Sequence, residues 1–374
     1  MKILIAGDYC PWSKVAELFD KNDFCHVLGE IKPITEKVDY SLVNFECAVA
    51  SEEDPPLIKY GPNLRCSEKG IEAIKWAGFD AVTLANNHFY DYGEKGVEKT
   101  LACCAANGIE YIGGGRNIQE ASSIKIKSIV NKKVAFINCC EHEFSISTET
   151  TGGSNPLNPI SLYYNIKSVR GIVDYIVIIL HGGSEHYQLP TPRMQETYRF
   201  FIDAGADIVI NHHQHCLSGF EYYKGKPIVY GLGNFCFDRD NKMPQSWYEG
   251  ALCMIDFDEI VRFELIPFFQ CKEDTAIHLI NNQESFKLLL EKLNHTISDC
   301  KELQRKFDEF IYNTRKTYLD SIEPYGRLLM ALRRRGIISS GLTKDRLLKI
   351  FNLINCESHL DRMRYAIQSK VKEL

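Results

Sequence analysis

Short runs of branched apolar residues, each closed by a polar side chain, punctuate the first 270 residues of the chain and alternate with helical spacing. Lys2–Ala6 ends at Gly7-Asp8, Tyr40–Phe45 ends at Glu46, and Ala81–Ala85 ends at Asn86-Asn87-His88. Ile176–Leu180 ends at His181, and Asp207–Ile210 opens onto His212, His213 and His215. Runs of this length and β-branched content, bounded by turn residues, read as strands. The stretches Ser67–Ala77, Glu94–Ala106 and Thr191–Ala204 have helical periodicity and close at Gly78, Asn107-Gly108 and Gly205. Ile124–Val130 and Val134–Cys139 read as a hairpin around the polar triplet Asn131-Lys132-Lys133, while the Ser-, Thr-, Gly-, Asn- and Pro-rich residues 145–165 read as a long loop. The alternation constrains residues 1–270 to an α/β domain.

The texture changes near Ser285 to long, highly charged helical periodicity, so residues 285–374 are expected to form a helical C-terminal extension. Charge divides the same way. Of the net -5, about -10 lies in residues 1–270 and about +5 in the remainder, an asymmetry typical of separate units. The acidic first part offers no basic track for a nucleic-acid backbone, and none is expected as a partner. No stretch approaches the length of a membrane-spanning helix, and the first apolar run is too short for a signal peptide. The fourteen cysteines are scattered, with no CxxC pair. They read as free thiols of a cytoplasmic protein rather than as a disulfide scaffold.

In open α/β sheets, functional groups gather just beyond the carboxyl ends of strands. Here that rule collects Asp8, Glu46, Asn87, His88, His181, His212, His213 and His215. Each has a plain explanation when taken alone. Asp8 could cap a helix, Asn86-Asn87 could be a turn, and His181 could be a hydrogen-bonded core histidine. Together they make a mixed nitrogen and oxygen donor set suited to Mn, Zn, Fe or Ni and poorly suited to Ca. In an extended segment His213 and His215 point the same way, so they are the ligand candidates and His212 the structural one. A bridging carboxylate such as Glu46 would let two metals sit side by side.

In this order the motifs Gly7-Asp8, Asn44-Phe45-Glu46 and Leu84-Ala85-Asn86-Asn87-His88-Phe89-Tyr90-Asp91-Tyr92-Gly93 resemble the CapA-type poly-γ-glutamate capsule synthesis family. That family is a branch of the calcineurin-like metallophosphoesterase superfamily. His181 with Gly183 and Glu185, His212-His213-Gln214-His215, and Leu232-Gly233-Asn234-Phe235 continue the resemblance to about residue 257. It implies a four-layered αββα sandwich holding two divalent transition metals, Mn, Zn or Fe. Asp8 and His215 would bind the first metal, Asn87, His181 and His213 the second, and Glu46 would bridge them. His88, held by Asp91, would be the general acid, with Glu185 and Asn234 at the rim orienting substrate. The chain departs from the superfamily's Asp-x-His at the first strand, having Asp8-Tyr9-Cys10, so the first metal loses a nitrogen ligand. Asn211 and Gln214 replace the usual glycine and proline around the histidines.

The resemblance implies a metal-dependent hydrolase acting on a small phosphoester or an anionic polymer such as poly-γ-glutamate. The alternative is a non-catalytic polymer-binding or assembly subunit on the same fold, its helical tail meeting a protein partner.

Overall fold

Strand residues divide between two faces with a period of two, and that division builds the layers. The computed structural model describes residues 1–374 except 240–241, 324, 356–358, 361–362, 364–365, 368–369 and 372–374. An eight-stranded sheet has Lys2–Tyr9 at its centre, with Tyr40–Phe45, Ala81–Thr83 and Glu110–Ile112 following in parallel on one side. On the other side Glu249–Phe257, Val261–Gln270 and Ile277–Leu279 run antiparallel to their neighbours, and Asn234–Cys236 pairs in parallel with the end of Lys2–Tyr9. A six-stranded sheet is ordered Phe220–Tyr223, Lys226–Val229, Ile208–His212, Tyr175–His181, Lys132–Cys140, Lys125–Ile129.

Ile3, Ile5 and Leu42 of the first sheet pack in one buried cluster with Phe136, Val177, Ile179 and Ile210 of the second, so the sheets lie face to face. The alternate residues Leu4, Val43 and Val82 point outward against Val15 and Phe19 of helix Ser13–Asp20, Ile71 and Ile74 of Lys69–Trp76, and Val97 of Gly93–Ala106. On the far side Ile137, Ile178 and Val209 meet Leu162 and Ile166 of Pro159–Arg170 and Tyr198 and Phe201 of Pro192–Ala204. The order is helix, sheet, sheet, helix, the αββα sandwich that the family resemblance implied. Each fully buried Ile, Leu or Val of this kind contributes roughly 1.5–3 kcal/mol relative to exposure.

Two details differ from the sequence reading. Residues 145–165 contain the start of a helix, because Asn158 accepts from the N–H groups of Ile160 and Ser161 and Pro159 occupies the first turn. The Asn-Pro pair is a cap followed by a helix-initiating proline rather than part of a loop. The α/β unit also runs on to Arg305, with a second unit over Lys306–Leu374. Helix Glu284–Ser298, placed by its charge in the extension, is bound into the first unit. Leu293 and Ile297 are buried beneath the second sheet, and Asn294 Oδ1 accepts from Phe220 N at 2.7 Å. Amphipathic spacing marks this helix's apolar stripe but not what the stripe covers.

In the second unit the Arg333–Arg335 run is more than a solvated helix end. Arg333 pairs with Asp320 at 2.9 Å and with the buried Glu323 at 2.7 Å. Among the described residues, no helix is long and apolar enough to cross a membrane.

Candidate metal centre

Register brings the functional residues to one end of both sheets. Asp8 lies opposite Asn44 on one side and Asn234 on the other, and His181 lies opposite His212 in the second sheet. Gly7 makes this possible, since a Cβ there would stand 2.0 Å from Gly233 O. Without a side chain at that position, Asp8 N reaches Gly233 O at 3.2 Å and the strand end shifts register.

The second sheet's contribution is built from strained backbone. The strand ends at His212, and His213 and His215 then adopt φ of +91° and +53°. Left-handed backbone at non-glycine residues costs energy and clusters at functional sites. The turn aims both rings into one cavity, where their centroids are 6.0 Å apart. They converge because the chain turns there, whereas the sequence reading had them converge by extended alternation. His212 is correspondingly less remote than alternation implied. Its Nδ1 is 3.8 Å from Asp8 Oδ1, and neither ring nitrogen has a hydrogen-bond partner among the described residues.

Two donor groups share one carboxylate. His181 Nε2 lies 2.9 Å from Asn87 Oδ1, 3.0 Å from His213 Nδ1 and 3.5 Å from Glu46 Oε1. His215 lies 3.4 Å from Asp8 Oδ2 through Nδ1 and 3.6 Å from Glu46 Oε1 through Nε2. Donors bound about 2.1 Å from one ion sit about 3–3.4 Å apart, and the separations of 2.9–3.5 Å around His181 Nε2 are close to the edges of such a polyhedron. Glu46 is fully buried, and neither of its oxygens has a hydrogen-bond partner among the described residues. A carboxylate in that position requires a cation or a proton. The donor set therefore fits the divalent metals that the sequence implied. Glu185, at the solvent side, forms a third donor group with His213 and His215.

The ionisation pattern follows from this crowding. Burial pushes Glu46 well above the usual carboxylate range, although His215 pulls the other way. Burial would raise Asp8 too, but the imidazoles of His215, His181 and His212 prevail and hold it well below its ordinary value. His181 is pushed well down by burial and by His213. Burial also opposes the cationic form of His215, yet Glu46 and Asp8 outweigh it and push the ring up to about 10.

Other side chains hold these donors in place. Asn44 donates from Nδ2 to Asp8 Oδ1 at 2.7 Å and approaches His181 Nδ1 at 3.2 Å, fixing one donor of each group. It was part of a recognised motif but had no role in the sequence reading, because its two partners come from distant strands. Asn234 is fully buried and not at the rim as the resemblance implied. Its Oδ1 is 2.9 Å from His215 Nδ1 while its Nδ2 donates to Trp247 O at 3.1 Å. With a metal bound, an Nδ1–H donated to Asn234 would leave the Nε2 lone pair of His215 available on the Glu46 side.

His88 Nδ1 is 2.6 Å from Asp91 Oδ2, the pairing the motif implied. Asp91 also accepts from Leu64 N at 2.6 Å and pairs with Lys59, whose side chain is 2% exposed. Burial lowers the His88 pKa against the pull of Asp91. Lys59 lies in an irregular segment with no periodicity, and nothing in its sequence surroundings marks it. Cys10 does not supply the donor that the superfamily places two residues after the first aspartate. It is buried on the helix-facing side of the first sheet.

Residues 2–239 match the family model described as "Bacterial capsule synthesis protein PGA_cap". The chain is similar to the capsule biosynthesis protein CapA of Bacillus anthracis, with 32% identity over 64% of this chain and 60% of the relative. It is also similar to the PGA biosynthesis protein CapA of Bacillus subtilis strain 168, with 28% identity over 62% of each chain. The alignments thus span about 60% of the length of these curated relatives. Among solved structures, the 5'-nucleotidase of Candida albicans SC5314 aligns with a TM-score of 0.43 at 10% identity, covering 83% of this chain and 57% of that one.

Proposed function

The chain belongs to the bacterial capsule synthesis PGA_cap family, and from that premise we propose that it is a metal-dependent hydrolase acting on an anionic polymer or phosphoester in capsule-polymer synthesis. The observation that carries this reading is Glu46, buried and unpartnered between His181 and His215. Asn87, His181 and His213 would hold one divalent cation, Asp8 and His215 the other, with Glu46 shared. When bound, such cations supply Lewis-acid polarisation and lower the pKa of water toward neutrality.

The chain's own groups do the rest. Asn44 and Asn234 keep Asp8, His181 and His215 oriented, so little reorganisation accompanies substrate binding. Asp91, itself anchored by Lys59 and Leu64 N, accepts the Nδ1–H of His88 and fixes its ring. His88 Nε2 is then the atom through which a proton passes to the leaving group. Hydrolysis balances as water adds its oxygen to phosphorus or to the amide carbon while the leaving oxygen or nitrogen takes a proton. Glu185, at the mouth, would meet the substrate.

Metal analysis of purified protein, with turnover of bis-p-nitrophenyl phosphate and of γ-glutamyl peptides in added Mn²⁺, tests this reading. We expect bound transition metal and cleavage of at least one substrate class. His88→Ala should lower kcat by about 10²–10⁴-fold with metal content unchanged. Protein that carries no metal and cleaves neither substrate ends the hydrolase reading. A non-catalytic polymer-binding role is the second reading, favoured by the burial of Cys10 away from the Asp8 group, whose donor set among the described residues is Asp8, Glu46 and His215.

A further inference from the structure

Beside the metal donors sits a cation that none of them uses. Arg239 follows the Asn234–Cys236 strand, and its guanidinium lies 5.9, 5.3 and 5.4 Å from the ring centroids of Trp12, Phe237 and Trp247. Its Nε is buried with no hydrogen-bond partner, and no carboxylate pairs with it among the described residues. Phe237 and Trp247 also flank His215, at 5.3 and 5.2 Å between ring centroids. Arg239 and His215 therefore share the same two aromatic walls. The charge of Arg239 is felt at both Glu46 and His186.

Arg239 opens onto a cavity of about 800 Å³ that is also lined by Lys14, Lys242 and Lys272. Two carboxylates of the lining are already engaged. Asp238 accepts from Trp12 N at 2.9 Å and Val15 N at 3.2 Å, and Asp274 pairs with His278 at 2.9 Å. Glu273 is the remaining acid of the lining. The aromatic contacts stabilise the guanidinium and fix its plane without using its donors. A planar fork held in that way is suited to a bidentate carboxylate or phosphate.

We propose that Arg239, with Lys14 and Lys272, forms an anion-binding subsite that holds a carboxylate or phosphate of the substrate chain next to the bond presented to the metal centre. The proposal rests on the polymer-hydrolase reading above for its substrate and extends it to how the chain is gripped. Two of the three tryptophans, Trp12 and Trp247, line the arginine and provide a direct optical signal.

The test is a titration of tryptophan emission in the metal-free full-length protein. The probes are a γ-linked glutamate pentapeptide, its fully esterified form, and inorganic pyrophosphate. A saturable change with the free acid and none with the ester is expected. Arg239→Gln should weaken binding at least tenfold, Arg239→Lys should recover little, and Lys14→Gln and Lys272→Gln should each weaken it by less. Saturable, Arg239-dependent binding of pyrophosphate alone also supports the subsite and identifies phosphate as its anion. Unchanged affinity in a folded Arg239→Gln variant, or no saturable change with either anion, overturns it. No metal or turnover enters the measurement, so its failure leaves the hydrolase reading standing. Binding by a protein that lacks turnover leaves the subsite standing.

Discussion

The two halves of the candidate metal centre are built from different chemistry. Around His181 the donors are two imidazoles and an amide, with His181 Nε2 2.9 Å from the amide oxygen and 3.0 Å from the other ring. Around Asp8 they are one imidazole and a carboxylate, with the nitrogen donor of the superfamily pattern replaced by the buried Cys10. Imidazole suits Zn and Fe, whereas carboxylate-rich sites suit Mn and Mg. The difference teaches that, on the proposed assignment, one fold would offer a nitrogen-rich site and a more oxygen-rich one side by side. Glu46, common to both donor groups, would couple them.

The largest expected effect comes from removing that coupling. Glu46→Gln should abolish tight binding at both halves, seen as loss of both metal equivalents after dialysis and of detectable turnover. Retention of both equivalents would show that the halves are independent. The next test separates them. His181→Ala should remove the tighter equivalent and leave a Mn²⁺-preferring one, while Asp8→Asn should do the reverse, each read by calorimetric titration with Mn²⁺ and Zn²⁺. If both variants lose the same equivalent, the division into halves is wrong.

The contrast also shows which parts of the site were legible in the sequence. Strand-end residues such as Asp8, Glu46, Asn87 and His181 could be found because short apolar runs announce the strands and function collects at their ends. The same runs pointed to an α/β domain, and the family resemblance implied its four layers. Asn44 could not be assigned, since its partners lie 36 and 137 residues away and only sheet register joins them. Lys59 and Arg239 were equally silent, because each gains its meaning from burial against partners distant in the chain, Asp91 for one and Trp12 for the other. The helix at Glu284–Ser298 was legible as a helix but not as part of the α/β unit. Its stripe of Leu293 and Ile297 has no sequence mark saying that it meets the second sheet.

Asn44 gives a smaller effect that tests whether the halves share an outer support. It touches Asp8 and His181 together, so Asn44→Ala should weaken both metal equivalents by about 10–100-fold, the usual cost of losing a supporting hydrogen bond. Weakening confined to one equivalent would mean that Asn44 serves only one donor.

The smallest effect concerns stability in the metal-free protein, and there the sign of the Glu46 contribution can be worked out. Burial raises its folded-state pKa well above the ordinary value of 4.5. Below 4.5 the carboxyl is protonated in both states, and its protonated form is the one the fold tolerates. As pH rises above 4.5 the unfolded chain ionises while the fold retains the proton. Stability is lost by up to about 1.4 kcal/mol per pH unit until the folded-state pKa is reached. Gln at this position has no proton to release. The melting temperature of metal-free Glu46→Gln should therefore exceed that of the wild type by a margin that widens between pH 5 and pH 7.5. Saturating Mn²⁺ should reverse the order, because only the carboxylate can bind the cation and gain the stability that binding confers. A margin that stays constant with pH would place the proton on another group. The shared carboxylate would then lose its special standing between the two halves.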